Sequence, residues 1–226
     1  MIMSTIAIIT ARGGSKRIPR KNIKEFMGKP MLAYAVEAAL NSKIFDEVMV
    51  STDDNEIAQI AQKYGANVPF MRSEKTANDY ATTADVLKEV KDEYKKRGKE
   101  FEETCCIYPC VPFLTGKILK EAYETFKTSG MSALTPVVKY SFPIQRAFKI
   151  NPNGCLEYRE PVNASKRSQD LEPMYHDVGM FYFSSTKSEL KMGCVPYIMD
   201  ENVIQDIDTL DDWKLAEMKY KVLHNA

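Results

Sequence analysis

Apolar and polar positions follow two rhythms along this chain. Ile6, Ala7, Ile8 and Ile9 form a short continuous apolar run, the pattern of a strand buried on both faces of a parallel sheet. Comparable runs near Val48, Val68 and Ile107 predict further strands. Between them, residues 32–41, 56–64 and 84–97 carry apolar side chains at helical spacing. Pro30 suits the start of the first of these helices, and Met31, Tyr34, Ala35, Ala38 and Ala39 recur on one face as core contacts. A further helix is expected over 115–127, ending near Gly130, with a strand over 132–138 after it. This alternation is the βαβ rhythm of an α/β fold whose sheet is mainly parallel.

The rhythm stops after Lys139. Pro143, Pro152, Gly154, Pro161 and Pro173 cut the next segment into pieces too short for long helices, so an insertion is expected over approximately 139–176 of a single domain spanning 1–226. Strands over 180–183 and 195–198 follow, then a closing helix over 210–223 in which Trp213, Leu215, Met218 and Val222 are spaced for burial. Internal repeats and low-complexity tracts are absent from the sequence.

Composition narrows the class. A chain of 226 residues with 44% hydrophobic content can bury a sizeable core, and its 31 basic residues balance 31 acidic ones. That balance leaves no overall field for holding nucleic acid or an anionic membrane, so anion binding must come from local patches. No apolar stretch reaches the roughly 18–20 residues of a membrane helix, and the N-terminus lacks a secretory apolar core, so a cytoplasmic location is expected. Cys105, Cys106, Cys110, Cys155 and Cys194 are odd in number and form no CxxC pair, which points to reduced thiols, with Cys105 and Cys106 in the core.

The candidate chemistry begins directly after the first strand. The segment Ala11-Arg-Gly-Gly-Ser-Lys-Arg-Ile-Pro-Arg-Lys-Asn22 joins Gly13 and Gly14 to five cations, Arg12, Lys16, Arg17, Arg20 and Lys21. Glycines there can take positive φ and let backbone N–H groups approach a ligand, while the cations supply enough charge for a triphosphate. Pro19 biases Ile18 toward an extended conformation, so the loop should be long and wrap its ligand. Neither GxxxxGK[ST] nor GxGxxG is present, and a solvated basic loop is the plainer alternative. Near the other end, Asp206 and Asp208 alternate in an extended segment, which puts both carboxylates on one side. Two such oxygens suit Mg²⁺, which keeps several waters and leans on substrate phosphates; a turn or a cap for the helix near Thr209 explains them as well. Asp211 and Asp212 fall in the first helical turn, where acids meet the helix dipole. Thr52 and Asp53 read as a turn and cap before the helix at Glu56.

ARGGSKRIPRKN followed by Gly28-Lys-Pro30 resembles the signature of the sugar-acid cytidylyltransferases, which make CMP-activated nonulosonic acids. The likeness continues in order through Ser51-Thr-Asp-Asp54, Phe70-Met-Arg72, Thr82-Thr-Ala-Asp85, Arg167 to Asp170 and Gln205-Asp-Ile-Asp208. Within that family, Ser168 to Gly179 and Asp46 to Asp54 are most similar to the pseudaminic acid enzymes. Tyr108-Pro-Cys-Val-Pro112 departs from the Gln-Pro-Thr-Ser-Pro element of sialic acid enzymes. The resemblance implies a Rossmann-like nucleotidyltransferase sheet with an inserted dimerisation excursion, and a homodimer with sites completed in trans. It implies that Ala11, Arg12, Gly13, Gly14, Ser15, Lys16, Lys21, Asn22, Arg72 and Thr83 bind the nucleotide, with Thr82 and Thr83 equally explained as a helix N-cap. Arg12, Lys16 and Lys21 would be catalytic, and Asp206 and Asp208 would hold the metal.

For the acceptor acid, Arg167 and Gln169 match the family's Arg-Gln-Asp element, since a guanidinium grips a carboxylate through two parallel hydrogen bonds. Gln145 and Arg146 could reach the same or a neighbouring site, and His176, one of two histidines, could recognise the sugar's acetamido groups, assist deprotonation or serve the structure, with recognition favoured. The expected reaction is transfer of CMP from CTP to the anomeric hydroxyl of a nonulosonic acid, pseudaminic acid foremost and N-acetylneuraminic or legionaminic acid as alternatives, with release of pyrophosphate for bacterial surface glycan synthesis. Two other classes compete: a glycosyltransferase using a finished nucleotide sugar, and a silent nucleotide-binding protein. The five cations of the first loop argue against the former, and Lys21, Asp206 and Asp208 against the latter.

Overall fold

The computed structural model describes residues 5–224. In chain order its strands are β1 (Thr5–Thr10), β2 (Glu25–Phe26), β3 (Lys29–Pro30), β4 (Glu47–Ser51), β5 (Glu103–Ile107), β6 (Met131–Lys139), β7 (Phe148–Ile150), β8 (Leu156–Tyr158), β9 (Tyr175–Asp177), β10 (Phe181–Ser185) and β11 (Lys191–Ile198). Its α-helices are α1 (Met31–Ser42), α2 (Asn55–Lys63), α3 (Glu74–Ala77), α4 (Thr83–Lys96), α5 (Gly116–Ser129) and α6 (Leu210–His224).

A seven-stranded sheet runs β11-β6-β10-β5-β1-β4, with β9 also paired to β6. β1 is parallel to both β4 and β5, and β6 is parallel to β11, while β10 lies antiparallel between β5 and β6. The fold is therefore a Rossmann-like α/β sheet, mainly parallel with an antiparallel intrusion. The apolar run of β1 has the burial its sequence predicts. Ala7 and Ile9 face the cluster holding Leu32, Val36 and Phe126, while Ile6 and Ile8 face Val90 and Tyr94 of α4. Because β4 and β5 flank β1, the chain reverses its winding there, and such a switch point leaves a crevice at the strands' carboxyl ends.

The strand expected near Val68 is reduced to a single bridge between Met49 and Asn67. Asn67 exchanges backbone hydrogen bonds with Val48 and Val50, but Pro69 has no N–H with which to extend the ladder. In α6 the buried stripe is Trp213 and Ala216, with Tyr220 packed beside them, whereas Leu215, Met218 and Val222 are exposed. Both sets are spaced i, i+3, i+7. The core contact of Trp213 with Phe26, ring centroids 5.4 Å apart, selects the first.

Residues 140–174 leave the end of β6 and return as β9, with the neck closed by Tyr140 N donating to Met174 O at 2.9 Å. This excursion carries the β7–β8 hairpin and exposes Phe142, Ile150, Leu156 and Val162.

Gly116 fixes how α5 approaches α1. A Cβ on it would lie 2.7 Å from both Asn41 C and Ser42 N, which are backbone atoms at the end of α1 and cannot rotate away. Gly116→Ala should therefore cost about 1–3 kcal/mol by overpacking. In a calorimetric scan that corresponds to a midpoint lower by about 2–4 °C per kcal/mol; an unchanged midpoint would show that the two helices separate freely.

Candidate active site

The crevice at the switch point is a cavity of about 650 Å³. The end of β1 supplies Thr10 and Arg12, the following loop Ser15, Lys16, Arg17, Ile18, Lys21 and Asn22, and the end of β5 Tyr108, Pro109 and Cys110. Across from them stand Asp206, Ile207 and Asp208.

The loop after β1 is held open from within. Ile18 is buried with Phe26, Met31 and Trp213, so the charged residues on either side of it stay at the surface of the cavity. Gly13 and Gly14 do not use the left-handed region, contrary to expectation. A side chain on Gly13 would instead crowd Asp54, its Cβ lying 2.9 Å from Asp54 Oδ2 and 3.1 Å from Asp54 Cβ. The Gly13 N–H donates to Asp53 Oδ1 at 2.9 Å, and Ala11 N donates to Ser51 O at 3.0 Å, so these backbone groups fasten the loop to the end of β4. Ala11, Gly13 and Gly14 accordingly frame the cavity without lining it. Asp54, not Thr52 or Asp53, caps α2, accepting from Glu56 N and Ile57 N. Arg20 points away from the cavity to Asp54 and Glu56, and its charge-assisted hydrogen bond holds the Asp54 carboxyl below its usual range.

Lys21 Nζ donates to Ile207 O at 2.6 Å and lies 3.6 Å from Asp208 Oδ1, which ties the loop to the segment before α6 across 186 residues of sequence. Arg17 Nη1 reaches Asp208 Oδ2 at 2.8 Å. The capping explanation for the two aspartates does not hold. Thr209 and Asp212 form a reciprocal pair at the start of α6, with Asp212 Oδ2 accepting from Thr209 N at 2.7 Å and Asp212 N donating to Thr209 Oγ1 at 3.2 Å. Asp212 is therefore structural, and the Asp206 and Asp208 carboxylates face the cavity with no capping duty.

Asn22 is buried; its Nδ2 donates to Arg12 O at 2.8 Å, and Cys110 Sγ donates to its Oδ1 at 3.3 Å. Burial pushes the Cys110 thiol up to about 12, so it stays a neutral donor at physiological pH. Arg72 is also buried, with Nε on Ser51 Oγ at 3.0 Å and Nη2 on Ser51 O at 2.6 Å. Neutral acceptors leave its charge uncompensated by direct contact, and burial lowers its pKa. Thr82 forms the N-cap of α4 with Asp85, while Thr83 turns its hydroxyl toward Tyr108 at 3.4 Å and lines the cavity. Of this pair, only Thr83 is placed to touch a ligand.

The acceptor candidates lie elsewhere in this chain. Arg167 is exposed and paired with Asp170 at 2.8 Å, and Gln169 is exposed beside it. Gln145 Nε2 donates to Glu172 O at 2.8 Å inside the excursion, and His176 on β9 packs its ring on Tyr140. None of these four lines the cavity. Arg167, Gln169 and Gln145 are carried away from it by the excursion, and His176 lies on β9 against β6. Asp79 was not anticipated from sequence. It lines the cavity and accepts from Arg12 Nη1 at 2.7 Å and from Lys16 Nζ. Those donors, Lys16 first, hold its carboxyl below the usual range. An aspartate in a polar turn before a helix carries no signal of a partner 67 residues away.

Residues 6–192 match a family model described as cytidylyltransferase. The chain is 41% identical over 230 residues to the pseudaminic acid cytidylyltransferase of Campylobacter jejuni, covering 99% of both chains. It is 34% identical to the CMP-N,N'-diacetyllegionaminic acid synthase of Legionella pneumophila over 95% of each. Among solved structures, a CMP:2-keto-3-deoxy-manno-octonic acid synthetase complexed with CTP shares the fold at a TM-score of 0.67 and 19% identity, covering 99% of this chain and 100% of that one. With that similarity over almost its whole length, and cations converging on one crevice of a Rossmann-like sheet, this chain belongs to the cytidylyltransferase family of nucleotidyltransferase enzymes.

Proposed function

We propose that the protein transfers CMP from CTP to the anomeric hydroxyl of a nonulosonic acid, with pseudaminic acid as the preferred acceptor. The observation that carries this reading is the convergence of Arg12, Lys16, Arg17 and Lys21 with Asp206 and Asp208 on one cavity at the carboxyl ends of β1 and β5. Full-length similarity to a pseudaminic acid cytidylyltransferase supports the choice of acceptor.

In the reaction the acceptor oxygen forms a bond to the α-phosphorus and loses its proton, while the bond to the bridging oxygen breaks and pyrophosphate leaves. The chain's part is positioning and charge neutralisation. Arg12, Lys16 and Lys21 take the polyphosphate, and Asn22, Arg72 and Thr83 take the nucleoside end. The donor set fits magnesium: Asp206 and Asp208 offer two carboxylates with hard oxygen ligands at the cavity, and the capping of α6 is left to Thr209 and Asp212. Asp206 and Asp208 would hold the ion, which when bound supplies positive charge to phosphate oxygens.

Arg167, Gln169, Gln145 and His176 would meet the acceptor in a homodimer, where the apolar side chains of the excursion are covered by a second copy and its polar groups reach that copy's cavity. On this reading the protein works in the cytoplasm, where CTP is available. No helix among the described residues is long and apolar enough to cross a membrane.

The test mixes purified protein with CTP, Mg²⁺ and, separately, pseudaminic, legionaminic and N-acetylneuraminic acids, and follows pyrophosphate and the CMP-sugar by mass. Pseudaminic acid should be consumed fastest. Faster consumption of another acid would keep the chemistry and change the acceptor, while no product with any of the three would remove the proposal. Light scattering on the same sample should give twice the chain mass; a monomer active at that concentration would remove the shared site.

A further inference from the structure

The cations lining the cavity are held in different ways. Arg72 meets only neutral acceptors, the hydroxyl and carbonyl of Ser51, while Lys21 donates to the carbonyl of Ile207 and stands with Arg17 against Asp208. Arg12 and Lys16 instead converge on one carboxylate, Asp79, each taking a different oxygen. That carboxylate comes from the turn between α3 and α4, and the turn is anchored at both ends. Asn78 Oδ1 accepts from Tyr80 N at 2.8 Å and Ala81 N at 3.0 Å, and Asn78 Nδ2 donates to Lys75 O at 2.7 Å. On the other side Thr82 is locked into the capping box of α4. Asp79 is thus presented to the two cations at a fixed distance, with a high effective concentration and only its own side-chain torsions to move. Its side chain is 44% exposed and those of Arg12 and Lys16 are 40% and 77% exposed, so these are exchangeable surface pairs, not permanent buried ones.

We propose that Asp79 is an intramolecular competitor for the cations that grip the pyrophosphate half of the nucleotide, a positioning residue that weakens triphosphate binding and speeds the departure of pyrophosphate. The inference rests on the cytidylyl-transfer reading. A triphosphate carries enough charge to displace one carboxylate from Arg12 and Lys16. Once the α-phosphate bond has broken, pyrophosphate loses its tether to the nucleoside, and the carboxylate competes with it from within the same wall of the cavity. Nucleotides that do not reach Arg12 and Lys16 do not meet this competition.

Calorimetric titration of CTP, CMP and pyrophosphate into wild type and Asp79→Asn, all with Mg²⁺, separates the possibilities. If the carboxylate leaves the two cations open about a tenth of the time, its removal tightens CTP and pyrophosphate about tenfold and leaves CMP unchanged. Pyrophosphate should become a correspondingly stronger product inhibitor in steady-state assays. CTP or pyrophosphate binding that is unchanged or weaker in the variant overturns the proposal and makes Asp79 an anchor for Arg12. Equal tightening of all three ligands also overturns it, since that is a general charge effect. Asp79→Ser provides the same comparison if the amide variant does not fold. A wild-type protein that binds no CTP sinks the cytidylyl reading itself, whereas wild-type binding without a gain in the variants sinks only the role of Asp79.

Discussion

Replacing Lys21 by alanine is expected to lower kcat about 10²- to 10³-fold while leaving the far-ultraviolet circular dichroism unchanged. The side chain is mostly shielded, donates to Ile207 O at 2.6 Å and stands beside Asp208 in the cavity. A preorganised positive group of this kind in a partly enclosed site is worth about 3–4 kcal/mol to a transition state in which negative charge is redistributed over phosphate oxygens. The carbonyl it leaves behind lies at the cavity and can be rehydrated, so the thermal midpoint should move by only a few degrees. The loss should fall on kcat more than on KM, because Arg12, Lys16 and Arg72 remain to bind the nucleotide. Turnover within fivefold of wild type would remove Lys21 from the catalytic group and leave it as the brace between the loop and residue 207.

Asp208→Asn is expected to raise the Mg²⁺ concentration for half-maximal activity about tenfold or more and to reduce kcat at saturating Mg²⁺ about 10²-fold. The substitution preserves shape and hydrogen-bonding capacity but would remove one of the two carboxylates proposed to hold the ion. A competing explanation is on view in the same side chain. Asp208 pairs with Arg17 at 2.8 Å and lies near Lys21, so it could serve only to hold the loop. The magnesium titration separates the two, because a brace alone would change kcat or stability without moving the metal midpoint. Asp206→Asn provides the second carboxylate's share by the same titration.

Much of the site can be read from neighbours in sequence. The apolar run before Ala11 places the basic loop at a strand's carboxyl end, and β1 is indeed buried on both faces. Lys21, Asn22, Arg72, Thr83, Asp206 and Asp208 all reach one cavity. The positive φ expected at Gly13 is not found. What crowds that position is Asp54, which closes over it from the end of β4. Helix α6 shows the limit of periodicity. Two stripes at the same spacing, one through Trp213 and one through Leu215, are equivalent until Phe26 and Tyr34 are brought against one of them.

By itself the sequence determined most of the helices and the main strands, the buried faces of β1 and α1, and the chemical character of the loop, because hydrophobic period, helix caps and proline or glycine breaks act between residues a few positions apart. Which charges meet was decided only by the tertiary structure. Asp79 joins Arg12 across 67 residues, and Lys21 joins residue 207 across 186, since the order of strands in the sheet sets those distances and no local pattern encodes it. The same holds for the excursion, whose prolines are visible in sequence, while the placement of Arg167 and His176 away from the cavity follows from where β6 ends and β9 returns.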